Sequence, residues 1–165
     1  MFAQWKKIAA TLSAAALLSM NPGIVSAQDH SHSHDKGKSA QLALNNGKKW
    51  SSDDNLRQSM SRIRDALAAE LPAIHSEKAT AEQYRALAKK TNDQIAFMIK
   101  NCKLDQKADA MLHLVLADII AGADAMMAHN GSDARKGAEK IMRALDSYGA
   151  YFDHPDWHGI KLDHY

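Results

Sequence analysis

Apolar side chains recur at intervals of three and four residues in four consecutive segments of the chain. This spacing places them on one face of an α-helix, so each segment is predicted to be an amphipathic helix that buries that face. The predicted inward positions, in chain order, are Leu56, Met60, Ile63, Leu67 and Leu71; Tyr84, Leu87, Thr91, Ile95, Met98 and Cys102; Ala108, Met111, Leu112, Val115, Ile119, Gly122 and Met126; and Ala138, Ile141, Leu145, Tyr148 and Phe152.

Polar residues and prolines mark where these helices begin and end. Side chains that can accept hydrogen bonds from a first helical turn stand at Ser51-Ser52-Asp53-Asp54, Thr80-x-x-Gln83, Asp105 and Ser132-Asp133. Pro72 is expected to end or kink the first helix, Asn130-Gly131 is a C-terminal cap signal for the third, and Pro155 stops the fourth. Helices of about 20 residues joined by short connections pack as antiparallel neighbours. The chain is therefore predicted to be all-α, an up-down-up-down antiparallel four-helix bundle over residues 51–155 with a C-terminal tail, 156–165.

The first 27 residues are predicted to be a secretory signal peptide. Lys6 and Lys7 precede an apolar run from Ile8 to Met20, and Val25-Ser26-Ala27 supplies small residues at the cleavage position. The apolar run is shorter than the roughly 20 residues that a membrane span needs, which argues against a retained anchor helix. We therefore expect export to the periplasm, an oxidising compartment in which the single Cys102 has no internal partner.

Residues 28–50 are predicted to be a His-rich flexible segment and a tether. His30, His32 and His34 alternate with serines and are flanked by carboxylates, a pattern that suits Cu(II), Ni(II) and Zn(II). A histidine in the third position of the mature chain also allows a square-planar Cu(II) or Ni(II) site with the free α-amine, unless Gln28 cyclises. The alternative is a solubilising tail that binds metals weakly and has no dedicated role.

The tether carries a turn signal at Asn46-Gly47. Three apolar residues flank this turn, and we expect them to pack across one end of the bundle: Leu42, Leu44 and Trp50.

Alternating helix directions are expected to bring sulfur-containing side chains to one end of the bundle. The residues concerned are Met60 in the first helix, Met98 and Cys102 at the end of the second, Met111 early in the third, and His154 after the fourth. Thioether and thiolate groups favour Cu(I), and imidazole also binds copper, so these residues are predicted to form a metal site. Two alternatives stay open: the methionines fill the core as leucine would, and Cys102 is an inert buried thiol or joins two chains in a homodimer.

The third segment is the most apolar of the four. Its run is interrupted by Asp109, Asp118 and Asp124, so we expect the most buried helix of a soluble bundle and no stable membrane insertion. His113 falls on the flank of the predicted inward face, which favours a position at the surface or between helices.

The order of helical positions over residues 53–155, with the A-H-N-G-S turn at Ala128 to Ser132, resembles cytochrome b562, a family of periplasmic four-helix haem proteins. That family holds haem between a methionine early in the first helix and a histidine late in the fourth. The resemblance implies Met60 and His154 as axial ligands of a b-type haem. Phe152 stands at the corresponding position of the fourth helix, so His154 reaches such a site only if that helix has already ended.

The segments Leu44–Trp50 and Phe152–Trp157 are also similar to exported bacterial proteins called DnrO-like, a resemblance that implies no mechanism. Removing Lys6 and Lys7 with the signal leaves 19 basic and 19 acidic residues, so no basic patch indicates nucleic-acid binding. The sequence contains no nucleophile–base pairing, E-x-x-H motif or phosphate loop, which favours a protein that is not an enzyme.

The sequence therefore favours a periplasmic metal-binding protein that handles copper or confers tolerance to it. Its expected partners are metal ions and a periplasmic redox or metal-transfer protein. A b-type haem electron carrier and a cofactor-free scaffold or interaction protein are the alternatives.

Overall fold

A computed structural model describes residues 41–128 and 131–160 of the 165-residue chain. The helices are α1 (Asp54–His75), α2 (Ala81–Asn101), α3 (Gln106–Met127) and α4 (Gly131–Tyr151). They form an all-α, up-down-up-down antiparallel four-helix bundle, as predicted from the spacing of apolar residues. The proposed signal peptide and the histidines of the tail lie outside the described residues, so the boundaries at 27 and 28 stay predictions.

Three of the predicted helix starts are confirmed by hydrogen bonds. The Leu56 amide donates to Asp53 Oδ1 at 2.7 Å, and the Lys107 and Ala108 amides donate to Asp105 Oδ1 at 3.0 Å. Thr80 and Gln83 form a reciprocal capping box, in which each backbone amide donates to the side chain of the other residue. These caps satisfy amides that have no partner within the helix, and so each fixes the residue at which a helix begins.

The structure differs from the expected helix ends at two places. α1 continues through Pro72 to His75, so Pro72 does not end the helix, because a proline this close to the end removes only one hydrogen bond of the last turns. α3 ends at Met127, and Gly131 is the first residue of α4 and not a C-terminal cap. The prediction failed here because a glycine after a helix resembles a cap even where the next helix has already begun.

The predicted inward faces form the core of the bundle. All of the predicted positions are buried except Leu71, Cys102 and Met111, which are partly exposed and pack against the core. Burying one stripe of each helix removes these apolar groups from water, which is the main favourable contribution to folding.

The closest helix packing in the bundle joins α3 to α4 through a pair of glycines. A Cβ atom added at Gly122 would lie 2.5 Å from Ile141 Cγ1 and 2.6 Å from the Gly137 carbonyl oxygen. A Cβ atom added at Gly137 would lie 2.5 Å from the Gly122 carbonyl oxygen. The two backbones therefore touch directly, and neither position has room for a side chain.

The tether packs against the end of α4, although not in the way predicted for every residue. Trp50 is buried and Leu42 is partly buried, but Leu44 is 42% exposed, contrary to the prediction. The predicted turn at Asn46-Gly47 is confirmed, since both residues have positive φ angles and hydrogen bonds of 2.8 and 3.0 Å join the residues on either side. The turn reverses the chain and leaves Leu44 facing solvent.

By length and composition alone, α3 could cross a membrane. Its aspartates therefore do not exclude a span, contrary to the sequence argument. The core helix of a soluble protein meets the same criterion, and in this chain α3 contributes eight buried residues to the bundle.

Replacing Gly137 with alanine is expected to lower the free energy of unfolding by about 1–3 kcal/mol, because the new methyl group must push α3 and α4 apart. Chemical denaturation followed by circular dichroism measures the change. Gly131→Ala is the matched control, since a Cβ atom there meets nothing within 4 Å. Equal stability of the two variants would show that the glycine contact is not required for packing.

Candidate functional site

One end of the bundle brings together the start of α1, the end of α2, the start of α3 and the end of α4. Asp53 Oδ2 accepts a hydrogen bond from the Lys103 amide at 2.6 Å, and the Asn55 side chain donates to the Asn101 carbonyl at 2.9 Å. These two contacts join the first turn of α1 to the connection between α2 and α3. We call this region the sulfur end, because it contains Cys102 and Met111 at its surface.

The four predicted sulfur residues differ in their access to solvent. Met60 is fully buried and Met98 is 2% exposed, so both lie inside the packed core. Cys102 and Met111 are partly buried and pack against that core from outside. Met98 precedes Cys102 by four residues, a spacing that puts two side chains on the same face of a helix. A metal ion arriving from solvent would therefore meet Cys102 and Met111 before either buried methionine.

Cys102 is the C-terminal cap of α2, and its amide donates to the Met98 carbonyl at 2.9 Å. Burial, the negative charge of Asp53 and a hydrogen bond to that carboxylate together raise the pKa of the Cys102 thiol to about 12, and burial has the largest effect. A thiol with this pKa is protonated at neutral pH, so it is a poor nucleophile. A metal ion would have to displace its proton in order to bind.

His154 packs onto the bundle from a segment that follows α4. The helix ends at Tyr151, and the chain then turns so that His154 Nδ1 lies 3.0 Å from the Tyr148 hydroxyl. The sequence argument allowed His154 to reach the haem position only if the fourth helix had already ended. α4 does end before His154, so this condition is met. Burial lowers the pKa of His154, and the positive charges of Arg57 and Arg64 lower it further. The imidazole is therefore neutral at pH 7.

An aromatic cluster surrounds this histidine. The Tyr148 ring stacks on Phe152 at 5.3 Å between centroids and meets Trp157 edge-on at 4.9 Å. Trp157 lies directly over Gly149, where an added Cβ atom would collide with the indole ring. The guanidinium of Arg64 sits 5.1 Å from the centre of the same indole. Residues 152–157 thus form a folded segment that covers the end of α4.

The ionisable residues among the predicted metal ligands do not form one cluster in the described part of the chain. Within the described ranges, no cluster of three or more His, Cys, Asp or Glu side chains could hold a metal ion. His154 faces Tyr148 and lies under the influence of Arg57 and Arg64, whose positive charge opposes a bound cation. The other predicted ligands at this end are Cys102 and the thioether groups of Met60, Met98 and Met111.

Haem fits this end poorly. Met60, the implied axial ligand, is fully buried, and the stacked Tyr148 and Phe152 rings are both fully enclosed next to His154. A porphyrin could reach Met60 only if this packing opened, since Met60, Tyr148 and Phe152 have no exposed surface. The haem hypothesis stays a prediction, and the packing gives it no support.

His113 lies where the flank position predicted. Its side chain is 67% exposed, and Nδ1 lies 2.8 Å from the carbonyl oxygen of Asp109 one turn earlier. This histidine belongs to the surface of α3 and takes no part in the sulfur end.

Sequence reasoning did not identify Asp53, Tyr148 and Trp157 as parts of this region. Asp53 was recognised as a helix cap, but its second oxygen was free to bind a distant segment, which the sequence does not reveal. Tyr148 was placed in the core, and its hydroxyl partner depends on how the chain turns after α4. The one local signal was Gly149, eight residues before Trp157, because a glycine within a helix leaves room for an aromatic ring to cover it.

No protein-family model, no characterised protein sequence and no solved structure matches this chain. The resemblances to cytochrome b562 and to the DnrO-like proteins therefore stay predictions made from the sequence.

Replacing Asp53 with asparagine is expected to lower the pKa of Cys102, because it removes a negative charge that raises it; the one remaining oxygen can still cap α1, while the hydrogen bond from the Lys103 amide is lost. Thiolate absorbance should appear at lower pH, and alkylation at a fixed alkaline pH should be faster than in the parent protein. Asp54→Asn removes an equal charge from a side chain that is 96% exposed, and should leave both readouts unchanged.

The same shift has a consequence for stability. The folded pKa of Cys102 lies above its ordinary value of 9.0, so the unfolded thiol loses its proton first as the pH rises. The free energy of unfolding should therefore be unaffected at neutral pH and fall as the pH rises from 9.0 towards 12. Cys102→Ser should flatten this decrease in an alkaline denaturation series.

Proposed function

We propose that this protein is a non-enzymatic, exported copper-binding protein that handles copper in the periplasm. The observation that carries the proposal is the position of Cys102 and Met111, which are both partly exposed at the end of the bundle that also contains buried Met98. Thiolate and thioether groups are soft ligands, and they favour Cu(I) over harder divalent ions.

The proposed Cu(I) ligands are Cys102, Met98 and Met111, with Met60 deeper in the core. Met98 precedes Cys102 by one helical turn, so the two sulfur atoms can share one ion with a small movement of the methionine. Asp53 supports the site, because the carboxylate that keeps the Cys102 proton in place also attracts a cation. Binding Cu(I) exchanges that proton for the metal. We leave His154 out of this ligand set because Arg57 and Arg64 oppose a cation beside it.

The histidine tail is proposed to bind Cu(II) at His30, His32 and His34. These residues lie outside the described part of the chain, and the proposal rests on the alternating imidazole pattern alone. The tail and the sulfur end suit different oxidation states of copper, so a redox or metal-transfer protein is the partner we expect. A disulfide-linked homodimer is less favoured, since the protonated, partly buried Cys102 reacts slowly.

The affinity of this site for Cu(I) should depend on pH in a specific way. One proton leaves Cys102 for each ion bound, so the dissociation constant should fall about tenfold for each unit of rising pH in the neutral range. Cys102→Ser should abolish this slope and weaken binding by at least about 100-fold, more than the loss of an outer-sphere partner. Competition titrations with a chromophoric Cu(I) chelator measure both quantities.

Met111→Leu should weaken Cu(I) binding without changing the pH slope. Met126→Leu is the matched control, because Met126 is a fully buried methionine near the other end of α3. Equal affinities of the parent, Cys102→Ser and Met111→Leu proteins would reject the site in the bundle.

The tail is tested separately with Cu(II). Replacing His30, His32 and His34 together with glutamine should remove Cu(II) binding by the mature protein, as measured by visible absorption and isothermal titration. Cys102→Ser should leave this binding intact. If neither Cu(II) nor Cu(I) binds to the parent protein, the cofactor-free scaffold becomes the better description.

A further inference from the structure

Two buried oxygen atoms on α1 and α2 have no hydrogen-bond partner. They are Ser59 Oγ and Gln94 Oε1, and no other buried side-chain oxygen or nitrogen atom in the described ranges is unpaired. Ser59, on α1, is 0% exposed although its side chain is polar. A polar atom that loses water without gaining a partner raises the free energy of the folded state. These two atoms therefore destabilise the place in which they are buried.

Both atoms belong to the interface between α1 and α2, close to the sulfur end. The Asn55 side chain donates to the Asn101 carbonyl at 2.9 Å, which sets the first turn of α1 beside the last turn of α2. Ser59 follows Asn55 by one helical turn, and the helices are antiparallel. It is therefore level with the turn of α2 that runs from Gln94 to Met98. Because Gln94, Met98 and Asn101 are spaced by four and three residues, they share the face of α2 that meets α1.

Other hydroxyl groups within the helices do have partners. Thr91, which is also 0% exposed, donates to the Leu87 carbonyl at 3.0 Å, and Ser147 donates to the Arg143 carbonyl at 3.1 Å. Each of these hydroxyl groups bonds to the backbone one turn earlier, which is the usual way to satisfy such a group inside a helix. Ser59 does not make this bond. The unpaired hydroxyl is thus particular to this interface.

The packing of α3 on α4 has the opposite character. Gly122 and Gly137 bring the two backbones into direct contact, and neither unpaired atom lies on these helices. Separating α3 from α4 loses this packing and gains nothing in return. Separating α1 from α2 also loses packing, but it gives Ser59 and Gln94 water as a partner. Local opening takes the route of lowest free-energy cost, so we expect it between α1 and α2.

We propose that α1 and α2 separate locally around Ser59 and Gln94, and that this opening is the route by which a soft ion or reagent reaches the Met98 thioether. Met98 is 2% exposed in the closed bundle, so it meets Cu(I) only after such a movement. Cys102 caps the same end of α2, and one displacement of this end makes both sulfur atoms available to one ion. The opening depends only on the polar atoms of the interface, whereas its use by copper rests on the function proposed above.

Oxidation by hydrogen peroxide measures the opening without copper. Peroxide transfers one oxygen atom to an accessible thioether, and the products are methionine sulfoxide and water. In the copper-free protein Met98 should be oxidised at least about tenfold faster than Met142. Met142 is the matched comparison, because it has the same 2% exposure and lies on α4. Mass spectrometry of proteolytic fragments gives both rates, and equal rates would overturn the proposal.

Ser59→Ala removes the unpaired hydroxyl and so stabilises the closed interface. It should slow the oxidation of Met98 at least about fivefold. Ser61→Ala is the control, since it makes the same change, with the same gain in helix propensity, at a partly exposed position of α1. Gln94→Leu removes the second unpaired oxygen and should also slow the oxidation. Fraying of the end of α2 alone would give Ser59→Ala the rate of the parent protein, and that result would reject the opening.

The rate of Cu(I) uptake tests whether copper uses this route. Ser59→Ala should slow the transfer of Cu(I) from a chromophoric chelator to the protein by the same factor as it slows oxidation, and Ser61→Ala should leave the transfer unchanged. A transfer rate that Ser59→Ala does not alter would show that copper takes another route. If the parent protein takes up no Cu(I) while Ser59→Ala still slows oxidation, the proposed function fails and the opening stands.

Discussion

The carboxylate of Asp53 is the interaction on which the sulfur end depends. One oxygen caps α1 through the Leu56 amide, and the other accepts from the Lys103 amide in the connection between α2 and α3. A single side chain therefore fixes where α1 begins and where two other helices meet it. Together with burial, which has the larger effect, the same negative charge raises the pKa of the Cys102 thiol. One group thus contributes both to helix geometry and to cysteine chemistry.

The fold could be predicted because the pattern of apolar residues is regular and the caps are unambiguous. The inward stripe from Leu56 to Leu67 and the Thr80–Gln83 capping box each follow from local rules, and both are present in the structure. The ends of the helices were harder to predict than their starts. Pro72 and Gly131 each carry a stop signal, yet whether a helix obeys that signal depends on the chain around it.

The candidate sites were harder to predict from the sequence than the fold, because they depend on contacts between distant segments. Helix direction correctly brought Cys102 and Met111 to one end, since topology needs only the order of the helices. The partner of His154 depends on how the chain turns after α4, which no local pattern encodes.

The contact between the tether and the segment after α4 determines when the fold can be completed. The Trp50 amide donates to the Tyr151 carbonyl and the Asp153 amide donates to the Trp50 carbonyl, both at 2.8 Å. These hydrogen bonds join residues about one hundred positions apart in the sequence. Contacts between such distant residues form slowly, because a long loop must close first. Trp50 therefore finds its buried position only once the last helix is in place, so the packing of the tether waits for the C-terminal part of the chain.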